Sequence, residues 1–260
     1  MRSALLISGN PRFSVLFDQQ LEFLKNSEID WYISFWRRNI GEDIKISSNW
    51  YKLDSPHKVR DALEPILPKG HRIITVSFLN PAQFSIPREF EYFQQPPWQI
   101  WQQYCILKHC DQRRQTSGIN YDLVIRSRSD IGLLQSIDLQ AALNYLRSHP
   151  KKILTPSNLQ HGDYYPSLAN FCDQFAIGLP DAMIAYSRSI DLFDEMEADG
   201  VLFQPESLIQ HSIYRQGFEN TPDDNIRISS TLYNHPLDHG NWASLRSKNT
   251  NPVNNLWESF

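Results

Sequence analysis

Short runs of apolar, β-branched residues alternate along the first half of the chain with stretches of helical periodicity, which narrows the possible folds more than any other feature. Residues 4–7 (Ala-Leu-Leu-Ile) have no polar member, the pattern of a strand covered on both faces, and run into the turn cluster Ser8-Gly9-Asn10-Pro11. Phe13, Phe17, Leu21 and Leu24 then recur at near-helical spacing. Residues 30–36 and 72–78 are the next strand candidates; the first closes at Arg37, Arg38 and Gly41, and the second is rich in β-branched residues. Between them, residues 57–67 have helical periodicity, with Pro65 and Pro68 as breakers. Pro96 and Pro97 open the clearest helix, because proline is tolerated in a first turn. Its expected inward face carries Trp98, Trp101, Cys105 and Lys108, with Tyr104 adjacent, and it ends near Gly118. Residues 121–126 form a fourth strand around the unbroken run Leu123, Val124 and Ile125. Strands separated by helices predict an α/β fold with a mixed, mostly parallel central sheet flanked by helices.

The second half is less regular. Residues 153–155 read as a short strand, 161–169 as a polar, aromatic loop, and 174–177 as a strand followed by Gly178, Leu179 and Pro180. Asp181 is the expected N-cap of a helix with Met183, Tyr186, Ile190 and Phe193 on one face, ending at Gly200. Another helix starts at Pro205 and Glu206 and stops at Gly217; from Asn220 onward polar residues dominate. No internal repeat or linker divides residues 1–260, so one domain is expected.

The chemistry concentrates in Tyr121-Asp122-Leu123-Val124-Ile125-Arg126-Ser127-Arg128-Ser129-Asp130, where a buried strand runs straight into alternating charges. In an open α/β sheet the carboxyl ends of the strands line the ligand crevice. Two guanidinium forks there suit a diphosphate, and the carboxylate of Asp130 suits a divalent cation or a ribose hydroxyl; a salt-bridge cluster at a strand end is the plainer alternative. Gly9 and Arg12 follow the first strand, where turn amides and a guanidinium can approach a phosphate. Asp173 is either a general base or a turn-capping residue, and Glu206 is either catalytic or a first-turn acid favoured by the helix dipole. His235, Asp238 and His239 form the chain's one His/Asp cluster, a metal site or a polar loop. His161, Asp163, Tyr164 and Tyr165 offer faces on which a sugar can stack, or a surface loop.

Other classes find little support. A formal net charge of -4 leaves no electrostatic footprint for nucleic acid or an anionic membrane. No GxGxxG, GxxxxGK[ST] or GxSxG is present, which argues against a dinucleotide fingerprint, a phosphate-loop enzyme and a nucleophile elbow. Apolar runs fall far short of the roughly 18 residues of a membrane span, and Ser8 and Asn10 interrupt the first run before it makes a secretory signal. Cys105, Cys110 and Cys172 form no CxxC pair, so free thiols and a cytoplasmic location are expected.

Cys105-Ile106-Leu107-Lys108 followed by the Tyr121 to Asp130 segment resembles a loosely defined family of bacterial and viral glycosyltransferases, themselves similar to GT-A enzymes that build surface polysaccharides. In that family a YDxxIRxRxD strand takes the place of the DxD metal motif. Asp173-Gln174-Phe175-Ala176-Ile177-Gly178 with Met183 resembles its D-x-F-x-x-G…M segment, Pro205-Glu206 its late helix, and Gly9 with Arg12 its donor-binding start. The resemblance covers roughly residues 4–217, and only the central motif is fairly specific. It implies a GT-A-like domain in which residues 1–130 bind a nucleotide-sugar donor and residues 131–260 face a glycan or lipid-linked acceptor. Gly9, Arg12, Arg126, Arg128 and Asp130 would hold the donor, and Asp173 and Glu206 would be catalytic. Asp130, His235 and His239 would hold Mn2+ or Mg2+. With arginines where the DxD carboxylates belong, the diphosphate can also be neutralised without a metal, and both alternatives stay open. A non-catalytic nucleotide- or glycan-binding protein retaining the fold is the alternative function.

Overall fold

A computed structural model describes residues 1–260 apart from 12, 14, 26, 38–43, 47–48, 85–96, 158–171, 202–204 and 231–260. Each apolar run of the first half becomes a strand of one parallel array. β1 (Ser3–Gly9) is followed by α1 (Val15–Leu24) and β2 (Ile29–Trp36), which pairs in parallel with β1. A small antiparallel hairpin, β3 (Ile44–Ile46) and β4 (Asn49–Tyr51), precedes α2 (Pro56–Leu63) and β5 (His71–Leu79). The chain then returns through α3 (Pro97–Gln115) to lay β6 (Leu123–Ser127) on the far side of β1.

The second half extends the same sheet. β7 (Ile131–Leu133) leaves the main sheet to pair with a late strand, and α4 (Leu139–Ser148) leads to β8 (Lys152–Pro156). β9 (Ala176–Gly178) runs antiparallel between β6 and β8, and α5 (Pro180–Ser187), α6 (Phe193–Ala198) and α7 (Pro205–Arg215) follow. β10 (Glu219–Asp223) adds the outer strand beside β8, and β11 (Ile228–Ser230) pairs with β7. The seven-stranded order is β10-β8-β9-β6-β1-β2-β5, with β9 alone antiparallel. This mixed, mostly parallel sheet between helices is the expected α/β class and is consistent with a GT-A-like layout.

Strand alternation sends side chains to two cores. Leu5, Ile7, Trp31, Ile33 and Ile125 pack with α1, α2 and α4 on one face, whereas Ala4, Leu6, Tyr32 and Val124 pack with α3, α5 and α7 on the other. Full burial of each large apolar side chain contributes roughly 1.5–3 kcal/mol. The crossover from β5 back to β6, α3, lies on the opposite face from α1 and α2, as right-handed connections require when the direction of sheet growth reverses. The order therefore reverses between β1 and β6, the point at which open α/β sheets bind ligands beyond the carboxyl ends of their strands.

Several local expectations are corrected. On α3 the buried stripe is Ile100, Tyr104, Leu107 and Cys110, while Trp101, Cys105 and Lys108 are only half-buried. Trp101 still packs edge-on against Phe193, and the side chain of Trp98 lies outside the described residues. Asp181 does not cap α5: Pro180 starts the helix one residue earlier, with Leu179 at the N-cap and Asp181 in the first turn. The helix expected to continue to Gly200 breaks into α5, a 3-10 turn (Ser189–Leu192) and α6. Helix α4 was not foreseen, although Leu139, Ala142, Leu143 and Leu146 form its buried stripe and the Asp138 side chain accepts from Ala141 N at 2.9 Å.

At the opposite, amino-terminal end of the sheet, Asp30 is 2% exposed and gathers three donors. Arg2 Nε donates at 2.8 Å, Arg72 Nε and Nη2 at 3.0 and 2.8 Å, and the Tyr121 hydroxyl at 2.9 Å. These bonds tie β2 to β5, to the start of β1 and to the segment entering β6. No described helix is long and apolar enough to cross a membrane.

Candidate functional site

The candidate site begins with backbone. Gly9 ends β1 at φ +126°, a conformation L side chains rarely adopt, so glycine is required there by the turn rather than by space. Beyond it Asn10 offers its carbonyl to the Ser129 hydroxyl at 3.2 Å, stitching the end of β1 to the end of β6. Gln20, fully buried on α1, donates its side-chain amide to the carbonyls of Arg128 (3.2 Å) and Ile131 (3.1 Å). The backbone on either side of Asp130 is thereby pinned to α1.

On this fixed loop the charged residues separate into two kinds. Arg128 grips Asp130 in a two-bond fork, Nε to Oδ1 at 2.8 Å and Nη2 to Oδ2 at 2.6 Å. Burial opposes the Arg128 charge, but the Asp130 carboxylate outweighs it and raises the guanidinium above its ordinary value. Arg126 is different. It projects from β6 to the α3–α5 face, in line with apolar Val124, and is 2% exposed. Among the described residues no carboxylate lies within ion-pair distance of it, its Nη1 donates only to the adjacent Ser127 carbonyl, and its Nε has no hydrogen-bond partner. Burial lowers its pKa, with the neighbouring Arg128 charge acting in the same direction.

The carboxylates arrive from the second half of the chain. Because β9 runs antiparallel to β6, with Ala176 opposite Arg126, the segment entering β9 lies beside the carboxyl end of β6. Asp173, just upstream, is 5% exposed and accepts from Gln103 Nε2 of α3 at 2.8 Å. Its negative charge is felt by both Arg126 and Arg128. Glu206 enters in the first turn of α7. Burial, with the Asp173 charge beside it, pushes its carboxyl up from 4.5 to about 8. Two buried tyrosines set the backbone on which these acids stand. The Tyr186 hydroxyl donates to the Asp173 carbonyl at 3.0 Å, and the Tyr104 hydroxyl donates to the Pro205 carbonyl, next to Glu206, at 2.7 Å. Further unpartnered buried atoms lie along the elements that frame this region: Ser8 Oγ, Asn10 Oδ1, Gln20 Oε1 and Gln174 Oε1. Unsatisfied buried polar atoms are rare in folded proteins and often mark places where a ligand completes the hydrogen bonding.

Gly9, Arg126, Arg128 and Asp130 thus stand together at the reversal point, and Asp173 and Glu206 join them. Arg12, His235 and His239, and the loop carrying His161, Asp163, Tyr164 and Tyr165, lie outside the described residues. Among the described residues no group of three or more His, Cys, Asp or Glu side chains is placed to hold a metal ion. Tyr104, Gln103 and Gln20 were not singled out from the sequence as site residues, and Tyr186 was read only as part of a helix face. Nothing in their local spacing marks them, because their roles depend on contacts with distant segments. In the segment Asp173 to Met183, Gly178 has a packing role: a Cβ there would stand 3.0 Å from the Met183 side chain.

The raised Glu206 carboxyl has a measurable consequence. The folded chain keeps this proton up to about pH 8, whereas the unfolded chain releases it near 4.5, so stability falls as pH rises through that window. Glu206→Gln is expected to leave stability near pH 4 almost unchanged and to raise it at pH 9 by on the order of 2–4 kcal/mol. Thermal unfolding across pH checks this, and parallel curves for the two proteins would show that Glu206 is not a buried acid.

Set against known proteins, the chain matches no protein-family model and no curated sequence.

Proposed function

We propose that this protein is a glycosyltransferase that moves a sugar from a nucleotide-diphospho-sugar donor to a hydroxyl of a glycan or lipid-linked acceptor. The observation that carries this reading is the meeting, at the reversal point of the sheet, of a buried guanidinium with no counter-ion at ion-pair distance among the described residues, a buried carboxylate (Asp173) and a half-buried one (Glu206). The guanidiniums suit the diphosphate of a donor, and the carboxylates suit proton transfer from an acceptor. Ligands of open α/β sheets bind in this crevice.

In this reading the bond between the anomeric carbon and the diphosphate oxygen breaks, and its electron pair leaves with the nucleoside diphosphate. Arg126 and Arg128 stabilise the negative charge that develops there. The acceptor oxygen forms the new bond to the anomeric carbon, and its proton passes to Asp173 in an inverting transfer. Burial and the Asp173 charge push the Glu206 carboxyl upward and favour its protonated form, which suits it less to the role of base. Gln103 and Tyr186 keep Asp173 in place.

The test is a thermal-shift screen of the purified chain against nucleoside diphosphates and nucleotide-sugars, followed by an assay for nucleoside diphosphate release. A ligand at about 100 times its Kd stabilises the folded state by about 2.7 kcal/mol, a shift of several degrees. A shift with one nucleoside diphosphate, lost in Arg128→Ala, supports the reading and names the donor base. Binding without sugar transfer to any hydroxyl acceptor would leave a non-catalytic binding protein, and no shift with any nucleotide would sink the donor site altogether.

A further inference from the structure

If the crevice holds a nucleotide diphosphate as proposed above, its charge still has to be neutralised, and the described residues do not fit a divalent cation at Asp130. A carboxylate that ligates a cation must turn an oxygen lone pair toward it. Both Asp130 oxygens instead accept from Arg128, so a cation there would face a guanidinium across the same carboxylate. Nor is Asp130 on a segment that swings easily, since Gln20 holds the carbonyls of Arg128 and Ile131 and Ser129 is bonded to Asn10. Of the other two carboxylates, Asp173 accepts from Gln103, and burial with the Asp173 charge disfavours the ionised form of Glu206 that a cation would need.

Arg126 presents the opposite situation. A buried ion with no counter-ion among the described residues carries a large desolvation penalty. Here it is a cation with an unpartnered Nε, on a strand end where the neighbouring positions of the same face are apolar. An anion reaching it would satisfy both the charge and the orphaned donor. Arg128 complements it: Asp130 occupies two of its five N–H donors and fixes the plane of the fork, leaving the others to point elsewhere.

We infer that the diphosphate is held by Arg126 and Arg128 without a divalent cation, and that Asp130 orients Arg128 rather than ligating a metal. Asp130 is then a positioning residue, and Arg126 supplies the principal charge. This rests on the nucleotide-binding reading above. It also predicts a pattern opposite to that of a metal-dependent donor site, in which the acidic residue is essential and a chelator abolishes binding.

The experiment is calorimetric titration of the full chain with UDP, GDP, ADP, CDP, dTDP and pyrophosphate, in EDTA and again in excess MnCl2 or MgCl2. The expected result is that at least one nucleoside diphosphate binds with a Kd equal within about threefold in all three conditions. Arg126→Met is expected to weaken it on the order of 100-fold or more. Asp130→Asn, which keeps one oxygen for Arg128, is expected to weaken it about tenfold or less and to leave binding indifferent to metal. Arg128→Met is the second variant should Arg126→Met not fold, and the comparison between EDTA and metal on the unmodified chain needs no variant at all. Binding that appears only with Mn2+ or Mg2+ and is lost in Asp130→Asn overturns the metal-free inference while leaving the glycosyltransferase reading intact. Pyrophosphate binding as tightly as every nucleoside diphosphate keeps the arginine site but overturns a nucleotide ligand. No binding by any probe overturns both.

Discussion

Asp173→Asn is expected to lower turnover by about 10²–10⁴-fold while leaving nucleoside diphosphate binding close to that of the unmodified chain. The size follows from what is removed. A carboxylate that takes the acceptor proton in the transition state contributes to the rate and little to ground-state binding, so its loss lowers kcat rather than raising KM. Asparagine is nearly isosteric, and its amide oxygen can still accept from Gln103 Nε2, which stands 2.8 Å from Asp173 Oδ2. The Tyr186 bond is to the Asp173 backbone and survives the substitution. Misfolding is therefore not the expected cause of lost activity, and a melting temperature close to that of the unmodified chain is part of the prediction. The comparison to make is kcat against KM for the donor, with binding measured separately. A variant that loses binding and turnover in equal proportion, or keeps full turnover, would show that Asp173 serves the fold or the binding site and not proton transfer.

The largest effect on stability is expected at the other end of the sheet. Asp30→Ala removes the carboxylate on which Arg2, Arg72 and Tyr121 converge, and breaking a buried ion pair from one side typically costs 3–5 kcal/mol. The partners moderate this figure. The Arg2 and Arg72 side chains are 38% and 58% exposed and can regain water, whereas the Tyr121 hydroxyl is left with Tyr32 alone, at 2.7 Å. The expected loss is about 3 kcal/mol, or roughly 6–12 °C in Tm for a chain of this size. Arg72→Ala, which removes one exposed donor and leaves Asp30 paired with Arg2 and Tyr121, should cost about 1 kcal/mol or less. Chemical denaturation of the two variants separates a buried hub from a set of surface pairs: equal and small losses would sink the hub.

The glutamate of the candidate site shows why stability and function pull apart in such a crevice. Glu206 is placed where its ionised form is disfavoured, beside the charge of Asp173. The guanidinium of Arg126, whose Nε has no hydrogen-bond partner among the described residues, adds to the same local instability. Both are arrangements a core built for stability alone would replace with apolar side chains, and binding sites are where such arrangements are retained.

How much of this was legible beforehand depended on whether the signal was local. β1, β2 and β6 could be read from the sequence because strands buried on both faces leave largely apolar runs, and the edge strand β5 from its β-branched residues; no distant contact is needed to recognise them. β10 was missed because Glu219-Asn220-Thr221-Pro222-Asp223 is an outer strand paired only with β8, and an outer strand need not be apolar. The α3 stripe was misplaced by about one residue: Trp101, Cys105 and Lys108 recur at helical spacing, but so do Ile100, Tyr104 and Leu107. Local periodicity does not choose between two adjacent stripes; the sheet beneath does.

The sequence by itself determined the α/β class and the position of Arg126, Arg128 and Asp130 at the end of a central strand, since both follow from residue pattern within a single segment. Only the tertiary structure decided what those residues meet. Asp173 comes near Arg126 because β9 runs antiparallel to β6, so the amino end of one strand lies at the carboxyl end of the other; a parallel β9 would have put Asp173 at the opposite, amino-terminal end of the strands. Tertiary packing likewise brought Tyr104 and Tyr186 to the backbone of the two acids, and turned Asp130 toward Arg128 instead of an open site. Strand direction and helix face are set by the burial of the whole chain, where small differences among many contacts decide, and no short motif records the outcome.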